Sequence, residues 1–396
     1  MSGYSSIIEE NKKWIEETLA KVDGKLSSVA IRSRGKLVDG VGDDGVTHKS
    51  VPPEAWTSGF FGGLMALMYN HTGNSEYLET ARVCERMLDP ALEDFAGLYH
   101  DVGFMWHILS GALYRLTGDT RSKNRNLHAA ASLFSRFIPD GRFIRAWNGV
   151  HNPDRNVDRW TIIDCMMNLP ILYWASDIIG DDRFKRVAIL HADNTILTHI
   201  REDGSAAHIV EHDRMTGEKI KYAQGQGISP DSSWSRGQSW AIYGFVLSYM
   251  ATGEMRYLDT AVGVADYYID NVSSDWIPRI DFKAPATPVY YDTTSSAIAA
   301  CGLIEIARAL GDGAGDKYLD AAINLLRKVD ESFTDYDPAT DVMISHGSVR
   351  YPVPGLMTEK TAGVHIPIIY GEYFYTEALL KLHGSDFNPW LDCREA

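Results

Sequence analysis

The sequence predicts an all-α fold, a closed ring of six helical hairpins with inner helices around an axis and outer helices wrapping them. Three observations lead there. First, a Gly-acid or Gly-polar turn recurs six times: Thr72-Gly73-Asn74, Thr117-Gly118-Asp119, Gly180-Asp181-Asp182, Thr252-Gly253-Glu254, Gly311-Asp312-Gly313 and Gly384-Ser385. The turns are too far apart and too unevenly spaced for a TPR or ankyrin array, and suit hairpins with variable loops at one end. Second, the runs before the turns are apolar nearly all round, whereas those after them keep one polar face, as inner and outer helices should. Third, the N-terminal amphipathic run lacks an inner partner and the C-terminal run lacks an outer one, so the two ends complete one hairpin and close the ring.

In chain order, Ile7, Ile8, Trp14, Ile15, Leu19 and Val22 recur at helical spacing and predict a helix over 6–22. Leu98–Leu116, Arg236–Ala251, Thr293–Leu310 and Tyr370–Leu382 read as inner helices. Tyr77–Leu88, Ser122–Phe137, Tyr257–Asn271 and Tyr318–Val329 read as outer ones. Glu202–Tyr222 alternates around Thr216-Gly217, which predicts a β-hairpin. Ile277–Tyr291 carries Pro278, Pro285 and Pro288 and reads as a loop. Pro170 either starts the third inner helix or kinks it.

With 396 residues, 45% of them hydrophobic, the chain can bury a large core. Its hairpins are evenly spread, with no linker-like tract, so residues 1–396 are expected to form a single domain. A net charge of −15 argues against nucleic acid or an anionic membrane as partner, and means that an anionic substrate needs a local basic spot. Met1-Ser2-Gly3-Tyr4 opens no apolar signal, and Cys84, Cys165, Cys301 and Cys393 have no metal-type spacing. A cytoplasmic protein is expected; the sequence is silent on oligomeric state.

The unusual residues sit at the starts of inner helices: Trp56 before the first, His100-Asp101 at the second, Asp164 at the third, Trp234-Ser235-Arg236 and Trp240 at the fourth, Asp292 at the fifth. All inner helices of such a ring point the same way, so these groups share one mouth. Helix N-termini there favour an anion, and Trp56, Trp160, Trp234 and Trp240 offer platforms for sugar rings. Each residue also has a plainer reading. Asp101 suits an N-cap. Asp164, among Ile162, Ile163, Cys165 and Met166, is either a networked structural carboxylate or a tuned acid. Arg236 is either a ligand for an anion or the partner of a carboxylate such as Asp231, and Trp234 and Trp240 are equally at home in a core.

His208-Ile209-Val210-Glu211-His212 fits the H-x-x-E-H zinc pattern, but that chemistry needs a helix, and this run follows Gly204-Ser205 and reads as a strand. On a strand His208 and His212 share a face, so that one of them can reach the site, and Glu211 points the other way. No metal or cofactor is expected. Nor is there a P-loop, a G-x-G-x-x-G after a strand, or a G-x-S-x-G.

Two separated aspartates in an aromatic mouth suggest carbohydrate acid/base chemistry. Four segments together resemble the unsaturated glucuronyl hydrolases of glycoside hydrolase family 88. They are His100-Asp101-x-Gly103-Phe104, Ile163-Asp164-Cys165-Met166-Met167-Asn168, Trp234-x-Arg236-Gly237-Gln238-x-Trp240, and Tyr370-Gly371-Glu372-Tyr373-Phe374-Tyr375-x-Glu377-Ala378-Leu379. The likeness runs from about residue 50 to 384, and it implies an (α/α)6 barrel. It also implies a substrate left by a polysaccharide lyase, whose non-reducing sugar carries a C4=C5 double bond conjugated to a carboxylate. By the resemblance Asp164 protonates C4 and activates water for C5, while Asp101 binds hydroxyls and helps raise the Asp164 pKa. His208, Gln226, Arg236 and Trp240, with His100, fall at substrate-binding positions, and Trp56 stacks on the sugar. Phe61 stands where Trp is expected. Gly363–Ile369 lacks the Ser-x-x-Ser-x-Gly-Lys-like run of members that prefer sulfated fragments, which leaves the aglycone open. The alternatives are an unsaturated rhamnogalacturonyl hydrolase on the same ring, and a sugar epimerase or non-catalytic saccharide binder.

Overall fold

A computed structural model describes residues 3–42, 44–149 and 157–391. It is an (α/α)6 barrel. Helix α1 (Gly3–Arg32) precedes α2 (Phe60–Thr72) and α3 (Ser75–Met87), the first inner and outer helices, followed by the short α4 (Asp89–Glu93). The second hairpin joins a π-helical run, Gly103–Gly111, continued as α5 (Ala112–Thr117), to α6 (Thr120–Ser135). In the third, a 3₁₀ turn at Ile163–Asn168 leads into α7 (Pro170–Ile179), backed by α8 (Arg183–His199). The fourth is α9 (Ser235–Thr252) with α10 (Met255–Asn271), and the fifth α11 (Thr293–Leu310) with α12 (Asp316–Phe333). After α13 (Glu359–Ala362), the last inner helix α14 (Ile369–Leu382) packs between α11 and α2. Helix α1 lies against α3, α12 and α14, so the chain ends do close the ring.

The recurring turn explains the repeat. Gly73, Gly118, Gly180 and Gly253 hold φ of 66 to 74°, the left-handed stop that ends an inner helix. Each Thr before a glycine donates back to the i−4 carbonyl, as Thr72 does to Met68 (2.8 Å) and Thr117 to Leu113 (2.7 Å). The next residue then starts the outer helix. The Asn74 side chain accepts from the Glu76 amide (3.0 Å), and Asp119 from the Arg121 amide (2.8 Å). One tripeptide therefore stops one helix and caps the next. Pro170 stands at the first turn of α7, where its missing N–H costs nothing.

Some elements differ from expectation. Helix α1 reaches Arg32, because Leu26, Val29 and Ala30 extend the buried stripe beyond Val22. The predicted hairpin is present as β6 and β7, and a further strand joins it. Seven short strands lie among the described residues: β1 (Val38–Val41) pairs with β2 (His48–Ser50), and β3 (Phe137–Ile138) with β4 (Phe143–Ile144). The third sheet has the order β5 (Trp160–Ile162), β6 (Ile209–His212), β7 (Lys219–Ala223), all antiparallel. The segment 277–291 is a loop. Cys84, Cys165 and Cys301 are buried free thiols, and Cys393 and Met1-Ser2 lie outside the described residues. Among the described residues no helix is long and apolar enough to cross a membrane.

Candidate active site

Loops before the inner helices enclose a cavity of about 430 Å³, whose walls include Trp56, His100, Asp101, Asp164 and Gln226. That volume suits a small organic ligand. A smaller chamber beside it, about 210 Å³, shares Trp147, Ile162, Gln226 and Arg350 with it and adds Trp160 and His208.

The position of Asp164 follows from its strand. β5 pairs with β6, the Ile163 amide donates to the His208 carbonyl (3.0 Å), and the chain then tightens into the 3₁₀ turn. Beneath it, the Thr161 hydroxyl meets Nε2 of both His199 (2.7 Å) and His212 (2.6 Å), which anchors the strand to the interior. Asn168 ties the two acidic segments together. Its Oδ1 accepts from the Phe104 amide (2.9 Å) and its Nδ2 donates to the Asp164 carbonyl (3.3 Å). Gly103 makes the approach possible, since a Cβ there would lie 2.7 Å from Asn168 Oδ1. Asp101 therefore does not cap a helix; the structure places it in the cavity wall with its carboxylate against His100.

The electrostatics separate the two aspartates. Burial pushes the Asp164 carboxyl up to about 7; the neighbouring His100 opposes this and Asp101 adds to it. Its Oδ1 is buried without a hydrogen-bond partner. His100 Nδ1 lies 3.0 Å from the Ala146 carbonyl and its Nε2 3.1 Å from Asp101 Oδ1. Nδ1 thus meets an acceptor, while Nε2 sits at ion-pair distance from the Asp101 carboxylate without a formed hydrogen bond. Burial alone pulls His100 down, but the Asp101 and Asp164 carboxylates outweigh it and its pKa is raised. His208 is the opposite case. The Gln226 amide donates to its Nδ1 (2.9 Å), so the neutral ring carries its proton on Nε2, which lies 3.6 Å from Asp164 Oδ1. Burial, with help from the Arg236 charge, holds it well below the usual histidine range. The result is a histidine–carboxylate pair, a neutral imidazole and a carboxyl poised near neutrality, with both histidines close to Asp164.

The sequence profile of Glycosyl Hydrolase Family 88 matches residues 42–280. The chain belongs to glycosyl hydrolase family 88. It is 34% identical over 342 residues to the unsaturated glucuronyl hydrolase of Bacillus sp. (strain GL1), covering 85% of this chain and 88% of that one. It is 31% identical to the unsaturated chondroitin disaccharide hydrolase of Streptococcus pyogenes serotype M1, over 85% and 82% of the two chains. The crystal structure of the Bacillus sp. GL1 unsaturated glucuronyl hydrolase superposes with a TM-score of 0.87 at 30% identity, covering 95% of this chain and 99% of that one. This family 88 protein is a glycoside hydrolase.

Two residues expected at the substrate lie behind the family 88 cavity wall. Arg236 is 1% exposed. Its Nη1 pairs with Asp292 (2.7 Å), not Asp231, and donates to the Ser348 carbonyl, while Nη2 donates to the Val349 carbonyl (2.7 Å). It clamps the loop that carries Arg350, and its charge acts on the Asp164 and His208 side chains. Trp240 is fully buried against Phe104 (5.1 Å between ring centroids) and Phe374 (5.5 Å), so it is core. Trp234 is also buried and supports the His208 ring at 4.2 Å. Trp56 does line the cavity, braced by Tyr370 at 5.1 Å. Gln226 donates through Nε2 to the Val349 carbonyl (2.7 Å). In the zinc-like run, Glu211 pairs with Arg159 (3.3 Å) and Lys221 (3.4 Å), and His212 is held by Thr161. Among the described residues no cluster of three His, Cys, Asp or Glu is placed for a metal.

Sequence reasoning missed Asp39, Lys49, Trp147 and Arg350, which also line the cavity. The signal available was weak: two isolated cations in a chain of net charge −15 are candidates for the basic spot that an anionic substrate requires.

Proposed function

We propose that this hydrolase removes the unsaturated 4-deoxy-Δ4,5-glucuronyl residue from the non-reducing end of lyase-generated oligosaccharides, with Asp164 as the proton carrier. The names of the Bacillus and Streptococcus relatives support that substrate class, and favour hydrolysis over epimerisation or bare binding. The observation that carries the reading is the buried Asp164 carboxyl. It is held near 7, with Oδ1 beside the His208 ring, in the wall of a cavity that Trp56 also lines.

In the proposed reaction the Asp164 O–H bond breaks and its proton goes to C4 of the vinyl ether. The π electrons form the C4–H bond, leaving positive charge on C5 and the ring oxygen. Water then forms a bond to C5 and gives a proton to the Asp164 carboxylate, restoring the acid. The hemiketal opens as its C5–O5 bond breaks, giving a C5 ketone and a hemiacetal at C1. The C1–O bond to the next sugar then breaks with proton transfer to that oxygen, leaving an aldehyde and freeing the sugar. Asp101, held beside His100, accepts a hydrogen bond from a ring hydroxyl, and its charge helps keep Asp164 protonated. The His208 Nε2–H faces Asp164 Oδ1. Trp56 provides the apolar face for the ring, and Lys49 and Arg350 supply positive charge for the substrate carboxylate. The chain acts as one catalytic domain without a cofactor, and its buried free thiols suit a reducing, cytoplasmic setting.

The test follows the absorbance of the C4=C5 bond in a panel of unsaturated disaccharides, in D₂O, with NMR of the product. Loss of absorbance with one deuterium at C4 is expected, and the panel ranks the aglycones. No loss on any unsaturated uronide refutes the reading.

A further inference from the structure

The proposed chemistry uses Asp101 and Asp164, yet a third carboxylate, Asp39, lines the same cavity. It stands on β1, just before the segment that matches the family profile. Val38 pairs with Ser50 and Gly40 with Lys49, so Asp39 is the extra residue of a β-bulge. Bulges re-aim a side chain, and occur often beside active sites. Here Val38 is fully buried in the core. Gly40 is pressed against the loop before α14, where a Cβ would lie 2.8 Å from the Pro367 carbonyl oxygen. Asp39, half-buried between these two anchors, is left facing the cavity. Burial raises its pKa, and a hydrogen bond from Thr57 and the charge of Lys49 offset part of that rise. A carboxylate set into the wall of a cavity that takes an anion weakens binding, unless donors on the ligand meet it.

We infer that Asp39 is a specificity-determining residue: its carboxylate accepts a hydrogen bond from the C2 hydroxyl of the unsaturated sugar, leaving the C3 hydroxyl to Asp101, with Lys49 offsetting its charge. This rests on the hydrolase reading and adds a selection rule to it. That wall takes neutral hydroxyls and rejects a sugar carrying an anionic substituent there.

The test uses the full chain and two unsaturated chondroitin disaccharides, one without sulfate and one with a 2-O-sulfate on the uronate. Asp39→Asn keeps the shape and an acceptor for Thr57. On the unsulfated substrate KM should rise about tenfold or more, the effect of weakening a charged hydrogen bond. kcat should stay within about threefold, and the pH at which the rate falls should not move, because Asp164 sets it. The wild type should discriminate strongly against the sulfated substrate, and the variant less so. A wild-type KM in Asp39→Asn overturns the inference, as does a joint loss of kcat, affinity and melting temperature, which marks a structural role. Titrating unsulfated disaccharide into Asp164→Asn, with and without Asp39→Asn, checks affinity without turnover; equal affinities also overturn it. If the wild type turns over no unsaturated uronide, it is the hydrolase reading that fails.

Discussion

At the scale of single residues, the site pairs a carboxyl kept out of water with an imidazole kept neutral. Because the folded-state pKa of Asp164, about 7, lies above its unfolded value, ionisation works against folding. That cost is absent below about pH 4, grows as the pH rises, and is complete above pH 7. Asp164→Asn should therefore melt at a higher temperature than wild type at pH 8 and at about the same temperature at pH 4; calorimetry at the two pH values decides. A second prediction concerns Gly225. A Cβ there would lie 2.0 Å from His208 Nδ1, so Gly225→Ala must push the ring off the Gln226 amide. We expect kcat/KM to fall about tenfold or more, the order expected for a mispositioned catalytic contact, with the circular dichroism spectrum unchanged. Asp164 was legible as a candidate because a carboxylate among apolar neighbours needs a reason; Asp39, on a short bulged strand, was not. The burial of Arg236 and Trp240 was not, since a helix start that is apolar all round does not reveal which residue meets the mouth and which meets the neighbouring helix.

At the scale of elements, the two acidic segments come from different hairpins and are joined by Asn168. Asn168→Ala should cost about 1–3 kcal/mol of stability for the Phe104 amide left unsatisfied. It should also lower kcat, because the π-helical run that follows Asp101 loses its tether to the Asp164 turn; chemical denaturation and steady-state rates test the two halves. The inner and outer helices could be read from periodicity and from the Thr-Gly-Asx turns, whose hydrogen bonds are local. The β1–β2 hairpin was unreadable. Its strands are three and four residues long, one is bulged, and Gly40, Gly42 and Gly45 make the stretch look like loop. Short strands held by tertiary contacts leave little period-2 signal. The π-helical geometry after Asp101 was equally hidden, because an apolar run carries the same pattern in either helix type.

At the scale of the molecule, the barrel is closed by its two ends. Helix α1 buries Ile15, Leu19, Val22, Leu26 and Val29, and Trp14 donates to Asp330 on α12 (2.8 Å). Deleting residues 3–32 should leave that stripe's partners bare on α3, α12 and α14 and abolish cooperative thermal unfolding, as seen by calorimetry. Closure also sets the function: six inner helices starting at one mouth bring residues 39, 56, 100, 164, 226 and 350 around one small space. The central claim is that Asp164 supplies the proton to the unsaturated sugar. Its most direct measurement is the decay of C4=C5 absorbance against pH, for wild type and Asp164→Asn side by side. The account predicts a wild-type rate that is level below about pH 7 and falls roughly tenfold per unit above it, with no turnover by the folded variant. An Asp164→Asn protein that still consumes the double bond at an appreciable rate would contradict it.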